Sequence, residues 1–326
     1  MKYKVKKYVP KYCWNKVAGL MVARRKKQFE ELNFSFGIKN MDKAILIIRR
    51  RPPGGGLFSN INHVLQGIIY ASENNMVPVV DMKNYSTEYS IFRKFLGTNN
   101  AWEYFFEPVS EITLEDAYNS YNVTLSKGDR LLREGDMAGR NLNFVFDLKS
   151  IKTLNNIYDE HIKLNSFTLS YINYLIKSFE IDNIHTLGVF LRGKDYISSP
   201  TSGHPKQPRT EEVIRDVEKY VEEKEISKIF LSTDDVIIRN LFENRFTNLV
   251  CPSTRIDSES NFSISTRKAF KIPKGPLAKN FSYLSEIYIL SKLDFNIASL
   301  SNGSAILHVI NGGKFKDSKL YNLGVN

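Results

Sequence analysis

Only two cysteines occur in 326 residues, Cys13 and Cys251, and they form neither a CxxC pair nor a cluster with histidine. That spacing offers no disulfide framework and no thiolate zinc site, and so little thiol suits a reducing, cytoplasmic setting. Histidine is scarce as well: five residues, scattered singly, with no HExxH. Side-chain metal chemistry is therefore not expected. Long apolar runs are missing near the N-terminus, where VAGLMVA is seven residues long. That is too short for a bilayer span and short for a secretory signal. Acid is missing from one place, residues 1–27, which hold ten Lys or Arg and no Asp or Glu.

The overall charge of +11 belongs to that segment, because the rest of the chain has 36 basic against 35 acidic residues. The segment reads either as a solvated basic extension or as one that touches anionic lipid, and we expect peripheral contact with an anionic membrane. Nucleic-acid binding is not expected, since no aromatic stacking platform or zinc finger accompanies the charge. Hydrophobic content of 42% and charged content of 25% are ordinary for a globular chain. The length fits one large domain or two ordinary ones.

What is present is an α/β rhythm. The run at Ala44 to Ile48 is apolar and β-branched without period-2 alternation, which predicts a strand buried on both faces. PPGGG breaks it. Ile61, Val64, Leu65, Ile68 and Ile69 then give one apolar helical stripe, with Ser59 or Asn60 placed to cap it. MVPVVDM follows as the next strand, completing a parallel βαβ unit. Residues 84–165 are irregular and aromatic, and several short helices are expected there. From residue 166 the rhythm returns. Phe167 to Phe179 is a helix, HTLGVFL a strand, and TEEVIRDVEKYVEEK a helix with Thr210 at its N-cap. SKIFLST is a strand, DDVIIRNLFENRF a helix, NFSYLSEIYILSKL a helix, DFNIASL a strand and SNGSAILHVI a helix. Two doubly wound, Rossmann-like domains follow from this: 41–165 and 166–326, behind an extension at 1–40. Ligands of such sheets bind at the carboxyl ends of the strands.

Four junctions there carry candidate chemistry. GGGLFSN, with Gly56 and Asn60, is a glycine turn opening a helix, able to admit a phosphate or simply to turn the chain. LRGKDY ends a buried strand on Arg192, with Asp195 three residues on. The arginine could grip a phosphate with its planar fork or pair internally with Asp195. LSTDD places Asp234 and Asp235 after a strand, suited to ribose or base contacts or to capping by Ser232, Thr233 or Asp234. SLSNGSA, with Ser301, Asn302 and Ser304, opens the last helix as an anion site or a cap. As a set they suit a nucleotide diphosphate held between two domains.

At these residues the chain resembles the fucosyltransferase superfamily of α1,6-fucosyltransferases, rhizobial nodulation fucosyltransferases and protein O-fucosyltransferases. FLRGKD is similar to its HxRxxD motif, with Phe190 in place of the histidine. IFLSTDD resembles its acidic strand end, DFNIASLSNGSAI its third motif, and GGGLFSN its glycine-rich opening. The resemblance implies a GT-B fold, GDP-fucose as donor, inversion at the anomeric carbon and no metal or other cofactor. It implies that Arg192 holds the β-phosphate, that an Asp of the pair meets the nucleoside, and that Ser301, Asn302 and Ser304 lie near the diphosphate. No Asp or Glu occurs from 197 to 209, where some members carry a carboxylate. Asp195 and His204 are the local candidates for a base. The expected acceptor is a glycan or lipid-linked glycan, as in polysaccharide biosynthesis. The alternatives are a transferase using another nucleotide sugar, or a noncatalytic protein binding a GDP-sugar or nucleic acid.

Overall fold

The computed structural model describes residues 30–128, 142–193, 203–252 and 261–326, apart from the side chain of Asn261. The basic segment 1–27 and Asp195 lie outside them. Two sheets organise the chain. The first has the order β1-β4-β2-β3, built from β1 (Leu32–Phe34), β2 (Lys39–Ile48), β3 (Met76–Val80) and β4 (Ser120–Leu125). β2 pairs in parallel with both β3 and β4, while β1 adds an antiparallel edge. The second is wholly parallel, ordered β7-β6-β5-β8-β9. Its strands are β5 (Thr186–Leu191), β6 (Lys228–Thr233), β7 (Leu249–Val250), β8 (Phe295–Ser299) and β9 (Asp317–Tyr321). The α/β class expected from the strand and helix rhythm is what the chain adopts.

The helices that matter for the site begin where strands end. α1 (Leu57–Glu73) joins β2 to β3. After them come α2 (Leu114–Ala117), α3 (Leu148–His161), α4 (Ser166–Ser178), α5 (Thr210–Glu223), α6 (Val236–Arg245), α7 (Asn261–Ala269), α8 (Pro276–Leu290) and α9 (Asn302–Asn311). The irregular stretch 84–165 holds the short helix α2, as expected there, together with one full helix, α3, and a strand, β4, that were not expected.

Alternation of side chains explains how the strands are buried. Leu46 and Ile48 of β2 face a large core shared with α1, α8 and α9, whereas Ile45 and Ile47 face a smaller one near α2 and β4. In β5, Phe190 joins the large core, while Leu187, Val189 and Leu191 pack with α5 and α6. Successive side chains point to opposite faces of a sheet, so a strand covered on both sides must be apolar throughout. The large core is continuous from β2 to β5 and β6 through α1, α8 and α9. Burial of aromatic rings there, among them Tyr89, Phe105, Phe190 and Phe281, contributes about 1.5–3 kcal/mol per large side chain.

Three helix starts differ from the sequence reading. α1 begins at Leu57 with Gly56 as N-cap, so Ser59 and Asn60 lie inside its first turn. α5 is preceded by Arg209, and Thr210 is its first residue. α6 is capped by Asp235, whose side chain accepts from Ile237 N–H at 2.8 Å, and not by Ser232, Thr233 or Asp234. Among the described residues no helix is long and apolar enough to cross a membrane.

Candidate functional site

In the second sheet the strand order reverses between β5 and β8, and the crevice beyond their carboxyl ends is where an open α/β sheet receives a ligand. A cleft of about 760 Å³ opens there. Three helices point their N-termini into it: α1 through Gly56 to Ser59, α8 through Gly275 and Pro276, and α9 through Ser301 to Gly303. Each N-terminus carries partial positive charge and backbone N–H groups with no partner inside the helix. A space bounded by three of them favours an anion.

Arg192 enters the cleft because of strand periodicity. It follows β5 and shares a face with Phe190, two residues back. Phe190 is fully buried and its ring stacks on that of Tyr283, centroids 6.1 Å apart and planes 13° apart. The guanidinium of Arg192 lies 5.8 Å from the same ring centroid, at the cleft end of the stack. Phe58 of α1 meets Tyr283 edge-on at 4.6 Å, so this tyrosine ties both halves of the chain together. The residue in the place of the motif histidine is therefore a packing residue behind the cleft.

Arg192 Nη1 donates to Asp234 Oδ2 at 2.7 Å, and Gly193 N–H donates to Asp234 Oδ1 at 3.0 Å. Among the described residues Asp234 is the acid that holds Arg192, the part the sequence reading gave to Asp195. The pair is mostly shielded from water, with side chains 17% and 14% exposed. A guanidinium has five donors in a fixed fork, so it can hold Asp234 and an anion at once. Asp235 packs against Gly193, where a Cβ would collide with its side chain. The glycine after Arg192 is thus needed by the protein itself.

At α9, Ser301 and Ser304 form a capping box. Ser304 Oγ accepts from Ser301 N–H at 2.8 Å, and Ser301 Oγ accepts from Ser304 N–H at 3.4 Å. The amides of Asn302 and Gly303 remain at the cleft mouth of the helix. Asn302 Oδ1 accepts from Asn62 Nδ2 at 3.2 Å, and Asn62 Oδ1 accepts from Gln66 Nε2 at 3.1 Å. This relay fixes the Asn302 amide plane with its NH₂ turned away from Asn62.

The opposite wall belongs to the first half. Asn60, almost fully buried, bonds back to the glycine turn. Its Oδ1 accepts from Gly55 N–H at 3.2 Å and from Arg50 Nη1 at 2.7 Å. Its Nδ2 donates to Gly55 O at 2.9 Å and to Tyr89 Oη at 3.1 Å. Behind it His63 Nε2 donates to the carbonyl of Arg49 at 2.9 Å. Burial first, then the nearby Arg50 charge, pull the His63 pKa down to about 4 against that hydrogen bond. His63 is neutral at pH 7 and serves the fold.

Of the residues singled out from sequence, Gly56, Arg192, His204, Asp234, Ser301 and Asn302 line the cleft. Asn60, Asp235 and Ser304 stand behind it and hold those that do. His204 reaches the rim on a segment paired with the C-terminal residues: Gly203 N–H donates to Asn326 O at 2.9 Å, Asn326 N–H to His204 O at 2.9 Å and Lys206 N–H to Gly324 O at 2.9 Å. Arg50, Glu88, Lys279, Asn280 and Tyr283 also line the cleft and were not read from sequence. The Gly275–Pro276 step was a usable signal for α8, since proline favours the first helical position. Arg50 and Glu88 gave none. Among the described residues no three His, Cys, Asp or Glu side chains gather to hold a metal ion.

No family model matches this chain. No curated protein matches it either. Among solved structures it is similar to fucosyltransferases at low identity. NodZ α-1,6-fucosyltransferase soaked with GDP-fucose is 14% identical over 82% of this chain and 92% of that one, with a TM-score of 0.47. A mutant of Arabidopsis thaliana FUT1 in complex with GDP is 12% identical over 88% and 72%, at 0.48. POFUT1 in complex with GDP-fucose is 10% identical over 86% and 74%, at 0.32. With these scores below 0.5, the likenesses decide nothing about ligand or reaction here.

Proposed function

We propose that the chain is an inverting glycosyltransferase that moves fucose from GDP-fucose to a hydroxyl of a glycan or lipid-linked glycan, without a metal. The observation that carries this reading is the meeting of Arg192 with two helix N-termini of the second half, those of α8 and α9, on one cleft at the switch point of a parallel sheet, with the start of α1 across from them. A sugar nucleotide needs such a place, because charge develops on the diphosphate as the glycosidic C–O bond breaks. Donors already fixed at that position stabilise the leaving group without reorganising. Removing one of them typically costs about 10²–10³ in rate.

The roles follow from position. Arg192, braced by Asp234, holds the β-phosphate, and the amides of Asn302 and Gly303 add donors at the α9 terminus. Lys279 of α8 supplies a further positive charge on the same side. Residues 166–326 thus form the donor side and 41–165 the acceptor side. Guanine and fucose come from the motif resemblance; the cleft itself argues only for a diphosphate.

The test is thermal unfolding in the presence of nucleotides. GDP should raise the melting temperature more than ADP or UDP, with or without EDTA. A ligand at 100 times its Kd adds about 2.7 kcal/mol. Arg192→Ala should erase that gain, and Arg192→Lys should too, because a point charge does not replace a two-pronged donor. An undiminished GDP gain in Arg192→Ala, or a larger gain from UDP with Mn²⁺, would sink this reading.

A further inference from the structure

Glu88 stands apart from the other acids around the cleft. Two carboxylates line it among the described residues, Asp234 and Glu88. Both oxygens of Asp234 are occupied, one by Arg192 and one by the Gly193 amide. Glu88 is exposed to the cleft and makes no hydrogen bond or ion pair among the described residues. An acid that takes no bond from the described residues beside a ligand cleft has its lone pairs available to a bound molecule.

Its mounting is rigid although its head is open. Thr87 and Tyr89, on either side, are buried. Thr87 N–H donates to Ser90 Oγ at 2.9 Å, the two hydroxyls lie 3.1 Å apart, and Ser90 N–H donates to Thr87 O at 3.2 Å. The Tyr89 ring packs edge-on against Phe105 at 5.6 Å, and its hydroxyl takes the Asn60 bond that also braces the glycine turn. This tight turn pins the backbone and leaves one carboxylate protruding beside the start of α1, where a Cβ on Gly56 would lie 3.9 Å from Glu88 Oε1. Glu88 belongs to the first half of the chain. Arg192, Lys279 and the α9 terminus, which face the diphosphate, belong to the second.

We infer that Glu88 is the general base that accepts the proton of the attacking hydroxyl, an inference that rests on the glycosyltransferase reading of the cleft. The hydroxyl oxygen forms its bond to the anomeric carbon while its proton passes to a Glu88 oxygen. The bond from that carbon to the β-phosphate oxygen breaks, and its electron pair leaves with GDP. Glu88 then returns the proton to water. Inversion requires the base on the face away from the leaving group, and the two walls of the cleft supply that separation. A well-placed general base contributes about 10²–10⁴ in rate.

The experiment measures GDP release from GDP-fucose by the full chain, with water as acceptor, and repeats it in azide, a nucleophile that has no proton to lose. Glu88→Ala should keep the GDP thermal shift, since the residue touches the acceptor and not the diphosphate. Its hydrolysis should fall at least about 100-fold. Azide should restore GDP release to within about tenfold of wild type, with fucosyl azide as product, because the step that needs Glu88 is bypassed. Glu88→Gln should behave alike and controls for volume. Hydrolysis within threefold of wild type, loss of the GDP shift, or failure of azide to restore turnover would each overturn the Glu88 assignment alone. A wild-type chain that GDP does not stabilise would overturn the reading of the cleft beneath it.

Discussion

The two walls of the cleft are built by different means. On the donor wall, order comes from the backbone: a strand end, a capping box and a helix start whose first amides face outward. The side chains that matter, Arg192 and Asp234, hold each other. On the opposite wall the loop is a glycine turn with no capping side chain, and order is borrowed from one buried amide, Asn60, which bonds to Gly55 twice and to Arg50 and Tyr89 once each. Under the proposed reading the contrast matches two tasks. A diphosphate is the same in every catalytic cycle and suits donors fixed by the fold. An acceptor must enter and leave, and its wall presents an exposed carboxylate on a pinned turn.

Breaking the borrowed order should have the largest effect on stability. Asn60→Ala removes the partner of four groups and leaves the Tyr89 hydroxyl buried and those at Gly55 half-buried. We expect a loss of about 3 kcal/mol, read by urea or heat. The comparison sharpens if the loss stays on its own wall. The additional stabilisation by saturating GDP should survive in Asn60→Ala, while turnover of GDP-fucose falls. If GDP binding vanished together with turnover, the two walls would be one unit and the contrast would fail.

A second effect comes from His63 behind the same wall. Its folded pKa of about 4 is depressed below the ordinary 6.5, so the unfolded chain binds more protons between those values. The stability that neutral His63 contributes is therefore complete above pH 6.5 and is lost as pH falls toward 4. At pH 5 the loss is about 2 kcal/mol. Denaturant melts at pH 7 and pH 5 should show it, and His63→Gln, less stable at pH 7, should show a smaller pH difference. An equal slope in the variant would assign the acid sensitivity to other groups, His308 first among them, since burial lowers its pKa as well.

The donor wall was the more legible in sequence for the same reason that it is rigid. A four-residue apolar or glycine run ending on Arg192, and a Ser-Asn-Gly-Ser start before an apolar helix, are local patterns, and the fold uses them locally. The parts that escaped depend on distance along the chain. Asp234 holds Arg192 from 42 residues away, a partner that sequence proximity does not suggest. Tyr283 looks like one more apolar helix position until Phe190, Phe58 and Arg192 are seen around it. Strand β4 hides in a polar stretch, SYNVTL, because its central place in the first sheet is set by β1 and β2 and not by its own pattern. Glu88 had no signal at all, since an exposed glutamate gains meaning only from what it faces.

The smallest effect we predict tests the donor wall from its backbone. Gly303 is the second residue of α9, packed where any Cβ would run into the Tyr283 hydroxyl and come within 3.0 Å of the Phe190 ring. Neither neighbour yields easily, because Phe190 is fully buried and Tyr283 is wedged between Phe58 and Arg192. Gly303→Ala should therefore push the first turn of α9 outward by a few tenths of an ångström. Such a shift misaims the Asn302 and Gly303 amides without removing any side chain. We expect about tenfold weaker GDP binding, equal to about 1.4 kcal/mol, and a melting temperature only slightly lower. The Glu88 turn lies in the first half of the chain, so azide and water should be discriminated as in wild type. Unchanged GDP affinity in Gly303→Ala would mean that the diphosphate does not rest on this helix start. The anion would then rest on α8 within the same wall, or on α1, in which case the assignment of the two walls would have to be exchanged.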